Sequence, residues 1–232
     1  MIGCLIIHGY TGGPHEVEPL AAYLREHTNW EVEVPTLPGH GKNLELDHVT
    51  HTAWLDAAEN ELEHMKAKTD KLYLIGFSMG GMIAAYLASK HDIEKLVLLA
   101  PARKYLSFLK MVKEVKGVLM DVFKGKIGEN RFLKHYKNKW RDVPFKANLE
   151  FLKLVNFTRR HLAKVQVPVL IAQGLQDMMV PYKTVHRLDR EIMSDQKEVV
   201  LFDRSKHLLC LGDDKDTLNA MVYQFLTEED SN

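Results

Sequence analysis

Residues Leu72 to Gly81 constrain this chain more than any other stretch: Leu72-Tyr73-Leu74-Ile75-Gly76-Phe77-Ser78-Met79-Gly80-Gly81. A short apolar run stops at a glycine, a serine follows two residues on, and two further glycines open the helix-like run Met82-Ile83-Ala84-Ala85-Tyr86-Leu87. Strand, sharp turn and helix in this order project a hydroxyl from a bend that tolerates no bulk two residues to either side. Gly76 and Gly80 meet that steric need, and Ser78 is the candidate nucleophile. The helix N-terminus lies beside the hydroxyl. Its unpaired N–H groups favour developing negative charge, which makes the Met79 amide a candidate oxyanion donor.

The rest of the chain alternates strands and helices. Ile2 to Ile7 is a continuous apolar strand that runs into His8-Gly9-Tyr10-Thr11-Gly12-Gly13-Pro14, a loop able to approach a ligand closely. Its Tyr10 N–H is the second candidate oxyanion donor, and His8 reads as a brace for the loop. A helix is expected over Glu16 to His27 and a strand over Trp30 to Val34. Between Pro38-Gly39 and Gly41, His40 reads as a loop anchor. Trp54, Leu55, Ala58, Leu62 and Met65 mark one helix face. Further strands are expected at Lys95 to Ala100, Val167 to Ala172 and Lys197 to Phe202, with helices between and after them. This rhythm predicts an α/β fold, a mostly parallel sheet with helices on both faces and a site at the carboxyl ends of its strands.

Residues 102 to 164 break the rhythm. Tyr105, Phe108, Leu109, Val112 and Val115, then Phe132, Leu133, Tyr136 and Trp140, then Leu149, Leu152 and Val155 recur at helical spacing with lysines between them. Several short amphipathic helices inserted between two strands would form a lid, residues 102–164, on a core domain of residues 1–101 and 165–232. From Pro101 to Val165 about 17 Lys and Arg stand against about 5 Asp and Glu. The whole chain carries no net charge, with 31 basic and 31 acidic residues, so no global field points to nucleic acid. A basic lid is compatible with weak contact to a membrane surface.

Cys4 and Cys210 are the only cysteines, too few and too far apart for a disulfide framework or a zinc site, and this fits the cytoplasm. The apolar start lacks a basic leader, and no run approaches the roughly 20 residues that span a bilayer. The last few residues, from about Glu228, are expected to be disordered.

A serine hydroxyl is a weak nucleophile at neutral pH. It needs a base in hydrogen-bond reach, and the base needs a carboxylate to fix its tautomer. Two late strands end in loops that hold His207 and Asp177. Asp203 is a rival acid, but so near a neighbour on the same strand end reaches the far ring nitrogen poorly, and Asp177 is favoured.

Taken together, His8-Gly9-Tyr10, Pro38-Gly39-His40-Gly41, Gly76-Phe77-Ser78-Met79-Gly80-Gly81, Gly174-Leu175-Gln176-Asp177 and Ser205-Lys206-His207 resemble the α/β-hydrolase family of serine hydrolases, close to small carboxylesterases and monoacylglycerol-lipase-like enzymes. The resemblance covers nearly all of the chain outside the lid. Many members of the family begin with two further antiparallel strands, so a correspondingly small sheet is expected here. It implies an α/β-hydrolase fold and a carboxylesterase acting on a small-molecule ester, with short or medium acyl chains or monoacylglycerols as substrates and no metal or organic cofactor. Thioesterase, lysophospholipase or lactone-opening activity with the same residues is the alternative, and a binding protein without turnover the remote one.

Overall fold

The computed structural model describes residues 1–41, 43–103 and 143–228. Six strands form one sheet: β1 (Ile2–Ile7), β2 (Glu31–Glu33), β3 (Lys71–Phe77), β4 (Lys95–Leu99), β5 (Val169–Gly174) and β6 (Lys197–Phe202). Their order is β2-β1-β3-β4-β5-β6, and every neighbouring pair is parallel. Six α-helices are described: α1 (Glu18–His27), α2 (His51–Lys66), α3 (Met79–Ala88), α4 (Phe145–Thr158), α5 (Val185–Glu191) and α6 (Lys215–Thr227). Among the described residues no helix is long and apolar enough to cross a membrane.

The unbroken apolar runs of the central strands follow from this layering. Successive side chains point to opposite faces, and both faces are covered. Leu5 and Ile7, Leu72 and Leu74, Leu96 and Leu98, and Val169 and Ile171 meet α2, α3, α4 and α5 in one core cluster. Cys4 and Ile6, Tyr73 and Ile75, Val97 and Leu99, and Leu170 and Ala172 meet α1 and α6 in the other. Helix α3 is buried on every side, which is why its sequence lacks a polar stripe.

Strand order reverses direction between β1 and β3. From β1 the chain moves outward to β2, then returns to β3 and continues to the opposite edge. Carboxyl ends of strands at such a switch point diverge and leave a crevice. The loop after β1 and the turn after β3 both open into it.

Several boundaries differ from those the sequence predicts. The strand expected over Trp30 to Val34 shortens to Glu31–Glu33, because β2 is an edge strand paired with β1 only from Gly3 to Leu5. The helix expected from Glu16 starts at Glu18, after a 3-10 turn at Pro14–Glu16 that turns Glu16 inward. Glu228 is tied down: its carbonyl accepts from the buried Lys95 ammonium. The expectation of disorder beyond it falls on residues 229–232, outside the described residues. So do the helices expected over Tyr105 to Val115 and Phe132 to Trp140. The third expected helix is α4, which buries Val155 and leaves Leu149 and Leu152 exposed.

At the turn after β3 the backbone has no room for a side chain on either glycine. A Cβ on Gly76 would lie 2.3 Å from the Gly80 carbonyl oxygen, and one on Gly80 would lie 2.1 Å from that of Ile7. Gly80→Ala is therefore expected to lower stability by about 3 kcal/mol, since rigid backbone on β1 must shift to relieve the contact. Urea unfolding of the variant beside wild type measures this directly.

Candidate active site

Ser78 occupies φ 53°, ψ −110°, a conformation that costs a non-glycine residue on the order of 1–3 kcal/mol. Three backbone bonds hold it there. Ser78 N–H donates to Leu99 O at 2.8 Å, while Gly81 N–H and Ala102 N–H donate to Ser78 O at 3.1 and 3.0 Å. The last of these needs a second tight turn, made by Ala100 at φ 44°. Thus β4 as well as β3 shapes the serine turn, which presents Oγ at the N-terminus of α3.

His207, on the loop after β6, places Nε2 2.9 Å from Ser78 Oγ. Its Nδ1 lies 2.6 Å from Asp177 Oδ2, on the loop after β5. All three side chains are buried, and the Phe77 ring packs 5.1 Å from the imidazole. Because the carboxylate is acceptor-only, Nδ1–H donates to it and Nε2 is left free to accept from the serine hydroxyl. Asp177 is itself fixed: Oδ1 accepts from Met179 N–H at 2.8 Å and Val180 N–H at 2.9 Å. The rival, Asp203, is exposed, and its described contact is a backbone one, the carbonyl accepting from Gln176 Nε2. Sequence proximity to His207 does not bring its carboxylate to the ring.

The two amides singled out in the sequence lie beyond the carboxyl ends of β1 and β3, Tyr10 on the loop after β1 and Met79 at the start of α3. Met79 N–H is the first of α3 and has no partner within the helix. No acceptor among the described residues takes it or Tyr10 N–H. Tyr10 is held through its side chain, stacked on Phe151 of α4 at 4.7 Å and 8°, edge-on to Trp54 at 5.8 Å. Its hydroxyl donates to Asn148 Oδ1 at 3.4 Å. Helix α4 is anchored in turn by Glu150, whose carboxylate accepts from His51 N–H at 3.0 Å and from Lys153 Nζ at 2.7 Å. Those bonds, the lysine's first, hold the Glu150 carboxyl down at about 2.

His8 and His40 both brace loops. His8 Nε2 accepts from Leu37 N–H at 3.1 Å, so Nδ1 carries the proton and donates to Gly9 O at 2.9 Å. His40 Nε2 accepts from Thr11 N–H at 3.3 Å and Nδ1–H donates to Pro38 O at 3.0 Å. Each ring is used as a neutral donor and acceptor. Burial pushes His8 down to about 4 and lowers His40 as well. Between about pH 6.5 and 4 the unfolded chain therefore binds a proton at residue 8 that the folded one refuses, and stability falls with pH through that window. The expected loss is about 3 kcal/mol by pH 4. Urea unfolding at pH 7 and pH 4, with His8→Gln alongside, checks it: the variant should lose correspondingly less.

Three supporting residues escaped the sequence reading. Glu16 reaches back from the 3-10 turn to accept from Gly9 N–H at 3.2 Å, fixing the loop after β1. A lone acid near a helix start gives no such signal. Asp214 accepts from Ser205 Oγ at 2.8 Å and Arg204 Nη2 at 2.8 Å, bonds that hold it below the usual carboxylate range and tie the His207 loop to the start of α6. Gln173 donates from Nε2 to Asp177 Oδ2 at 2.8 Å. Here a signal existed, since a polar residue interrupts a strand that is otherwise buried and apolar.

Among the described residues no group of three His, Cys, Asp or Glu is placed to hold a metal ion. A parallel sheet flanked by helices, with a serine turn after its third strand, is the architecture of an α/β-hydrolase. A family model described as serine aminopeptidase, S33, matches residues 3–214, and the chain belongs to that family. The chain is 28% identical to the thermostable monoacylglycerol lipase of Bacillus sp. (strain H-257) over 233 residues, covering 98% of this chain and 91% of that protein. It is 23% identical to a carboxylesterase of Bacillus subtilis (strain 168), covering 97% and 92%. A solved structure from the study of LipS and LipT, two metagenome-derived lipolytic enzymes, superposes with a TM-score of 0.79 at 21% identity, covering 98% of this chain and 94% of that one.

Proposed function

We propose that this protein is a serine hydrolase of carboxylic esters, with Ser78 as nucleophile, His207 as general base and acid, and Asp177 as the carboxylate that orients the imidazole. The observation that supports this most is the unbroken line from Ser78 Oγ to His207 Nε2 at 2.9 Å and from His207 Nδ1 to Asp177 at 2.6 Å. In this reading Oγ attacks the ester carbonyl as Nε2 removes its proton, and the Tyr10 and Met79 amides receive the oxyanion. The imidazolium returns the proton to the departing alcohol. Water, activated by the same imidazole, then attacks the acyl-enzyme and frees the acid. Every charge that develops meets a group already in place, so no large reorganisation is needed.

The names of the two bacterial relatives, a monoacylglycerol lipase and a carboxylesterase, support esters as the substrate class; within it we propose short or medium acyl chains or monoacylglycerols. We assign residues 102–164 to a lid on a core of residues 1–101 and 165–232. Helix α4, whose Phe151 stacks on the Tyr10 ring, falls within it. A second reading, an anionic or lipid-like ester or thioester, has support of its own. A hollow of about 520 Å³ beside α4 is lined by Arg103, Lys153, Arg159 and Arg187 together with Leu149 and Leu152. Such a hollow suits an anionic headgroup or weak contact with an anionic membrane surface.

Hydrolysis of p-nitrophenyl esters from acetate to palmitate tests the main reading. The expected result is turnover with an optimum at short or medium chains. A folded protein that turns over none of them, and whose Ser78 is not labelled by a fluorophosphonate, would end the proposal. A kcat/KM that falls with salt for anionic esters only would favour the second reading.

A further inference from the structure

We propose that Gln173 is a positioning residue for hydrolysis, fixing the Asp177 carboxylate in the orientation from which it holds His207; this rests on the assignment of Ser78, His207 and Asp177 above. Gln173 is the penultimate residue of β5 and is 0% exposed. Its Nε2 donates to Asp177 Oδ2 at 2.8 Å and lies 3.3 Å from Val180 O. Its Oε1 has no hydrogen-bond partner among the described residues. The amide must sit this way round, because the reverse would set its oxygen against an ionised carboxylate.

An unpartnered carbonyl oxygen in a dry core is a cost that leucine or methionine would avoid while filling the same space. What the amide supplies in return is one donor. With it, Asp177 has a donor at each of its acceptor positions: Met179 and Val180 N–H on Oδ1, His207 Nδ1–H and Gln173 Nε2–H on Oδ2. The carboxylate then cannot turn about its Cβ–Cγ bond without breaking two bonds at once. Removing Gln173 leaves Oδ2 with His207 alone, so the carboxylate loses one of its four bonds and the hold on Oδ2 weakens as the imidazolium forms. The titratable groups in this network are Asp177 and, through it, His207.

The test compares wild type, Gln173→Met and Gln173→Glu in p-nitrophenyl butyrate hydrolysis and in fluorophosphonate labelling of Ser78, between about pH 5.5 and pH 10. Gln173→Met keeps the volume and loses the donor. Its kcat is expected to fall about 10- to 100-fold at every pH with KM within about twofold. In Gln173→Glu the introduced carboxyl, while protonated, donates where the amide did, and recovers most of the lost rate. As it ionises against Asp177 that rate is lost again, giving a descending alkaline limb absent from wild type. A residue that served packing alone would lose little in Gln173→Met and gain nothing from a protonated carboxyl in its place. If Gln173→Met fails to fold, Gln173→Leu, which also fills the space without a donor, replaces it in the comparison. A wild-type profile in Gln173→Glu with kcat of Gln173→Met within about twofold of wild type overturns the role of Gln173. Wild type labelled no faster than Ser78→Ala overturns the assignment of the site and this proposal with it.

Discussion

Ser78→Ala is expected to lower kcat on p-nitrophenyl esters by about 10⁵-fold while the protein stays folded. The loss is large because the hydroxyl is the group that forms the acyl-enzyme, and neither His207 nor the oxyanion amides can replace a missing bond to the acyl carbon. What survives is direct attack of water on the ester carbonyl, assisted by the imidazole and the two amides. Folding should be spared because the strained turn does not depend on the hydroxyl. Ser78 is held by Leu99 O, Gly81 N–H and Ala102 N–H, all backbone groups. The same molecule keeps an alanine, Ala100, at φ 44° two residues before Ala102. Steady-state rates, with a thermal melt to confirm folding, measure both halves of the expectation. A folded variant with a hundredth or more of wild-type activity would remove Ser78 as the nucleophile.

Asp177→Asn should cost about 10³- to 10⁴-fold in kcat, and the structure says why so small a change does so much. An asparagine could in principle turn either end of its amide toward His207. Here the choice is forced, because Met179 N–H and Val180 N–H both donate to the Oδ1 position and require an oxygen there. The NH2 group must then face His207 Nδ1. That ring nitrogen becomes the acceptor, the proton moves to Nε2, and the base points a hydrogen at Ser78 instead of a lone pair. The same NH2 also confronts the Gln173 amide, which must turn round to accept. Asp203→Asn, by contrast, should leave kcat within about twofold, since that side chain is exposed and its carbonyl alone makes the described contact. Comparing the two asparagine variants on one ester separates a tautomer effect from a general loss of negative charge near the imidazole.

Some features were legible because one local rule governs them. Gly76 and Gly80, and with them Ser78 between, could be read from sequence, for a backbone that must bend sharply against β1 and α3 admits glycine at the two flanking positions and little else. The four central strands were legible because both of their faces are covered, which makes the run of apolar residues continuous. The short edge strand β2 was overextended for the converse reason: its length is set by where β1 offers a partner, and its own residues carry no mark of that. Glu16 was placed in a helix because periodicity cannot see that a carboxylate seven residues after Gly9 is wanted back at that amide.

The sequence by itself determined the kinds of group present: a serine on a tight turn, a histidine and an aspartate at the ends of late strands, and apolar runs that can only be buried. These are matters of residue type and near-neighbour spacing. Tertiary structure alone decided which of them meet. Ser78 and His207 are 129 residues apart and come within 2.9 Å because β3 and β6 lie in one sheet, with their carboxyl ends on one side. Likewise the clamp of Gln173 on the Asp177 carboxylate and the grip of α4 on Tyr10 depend on distances between elements. Such distances follow from how helices and strands pack, and no local pattern records them.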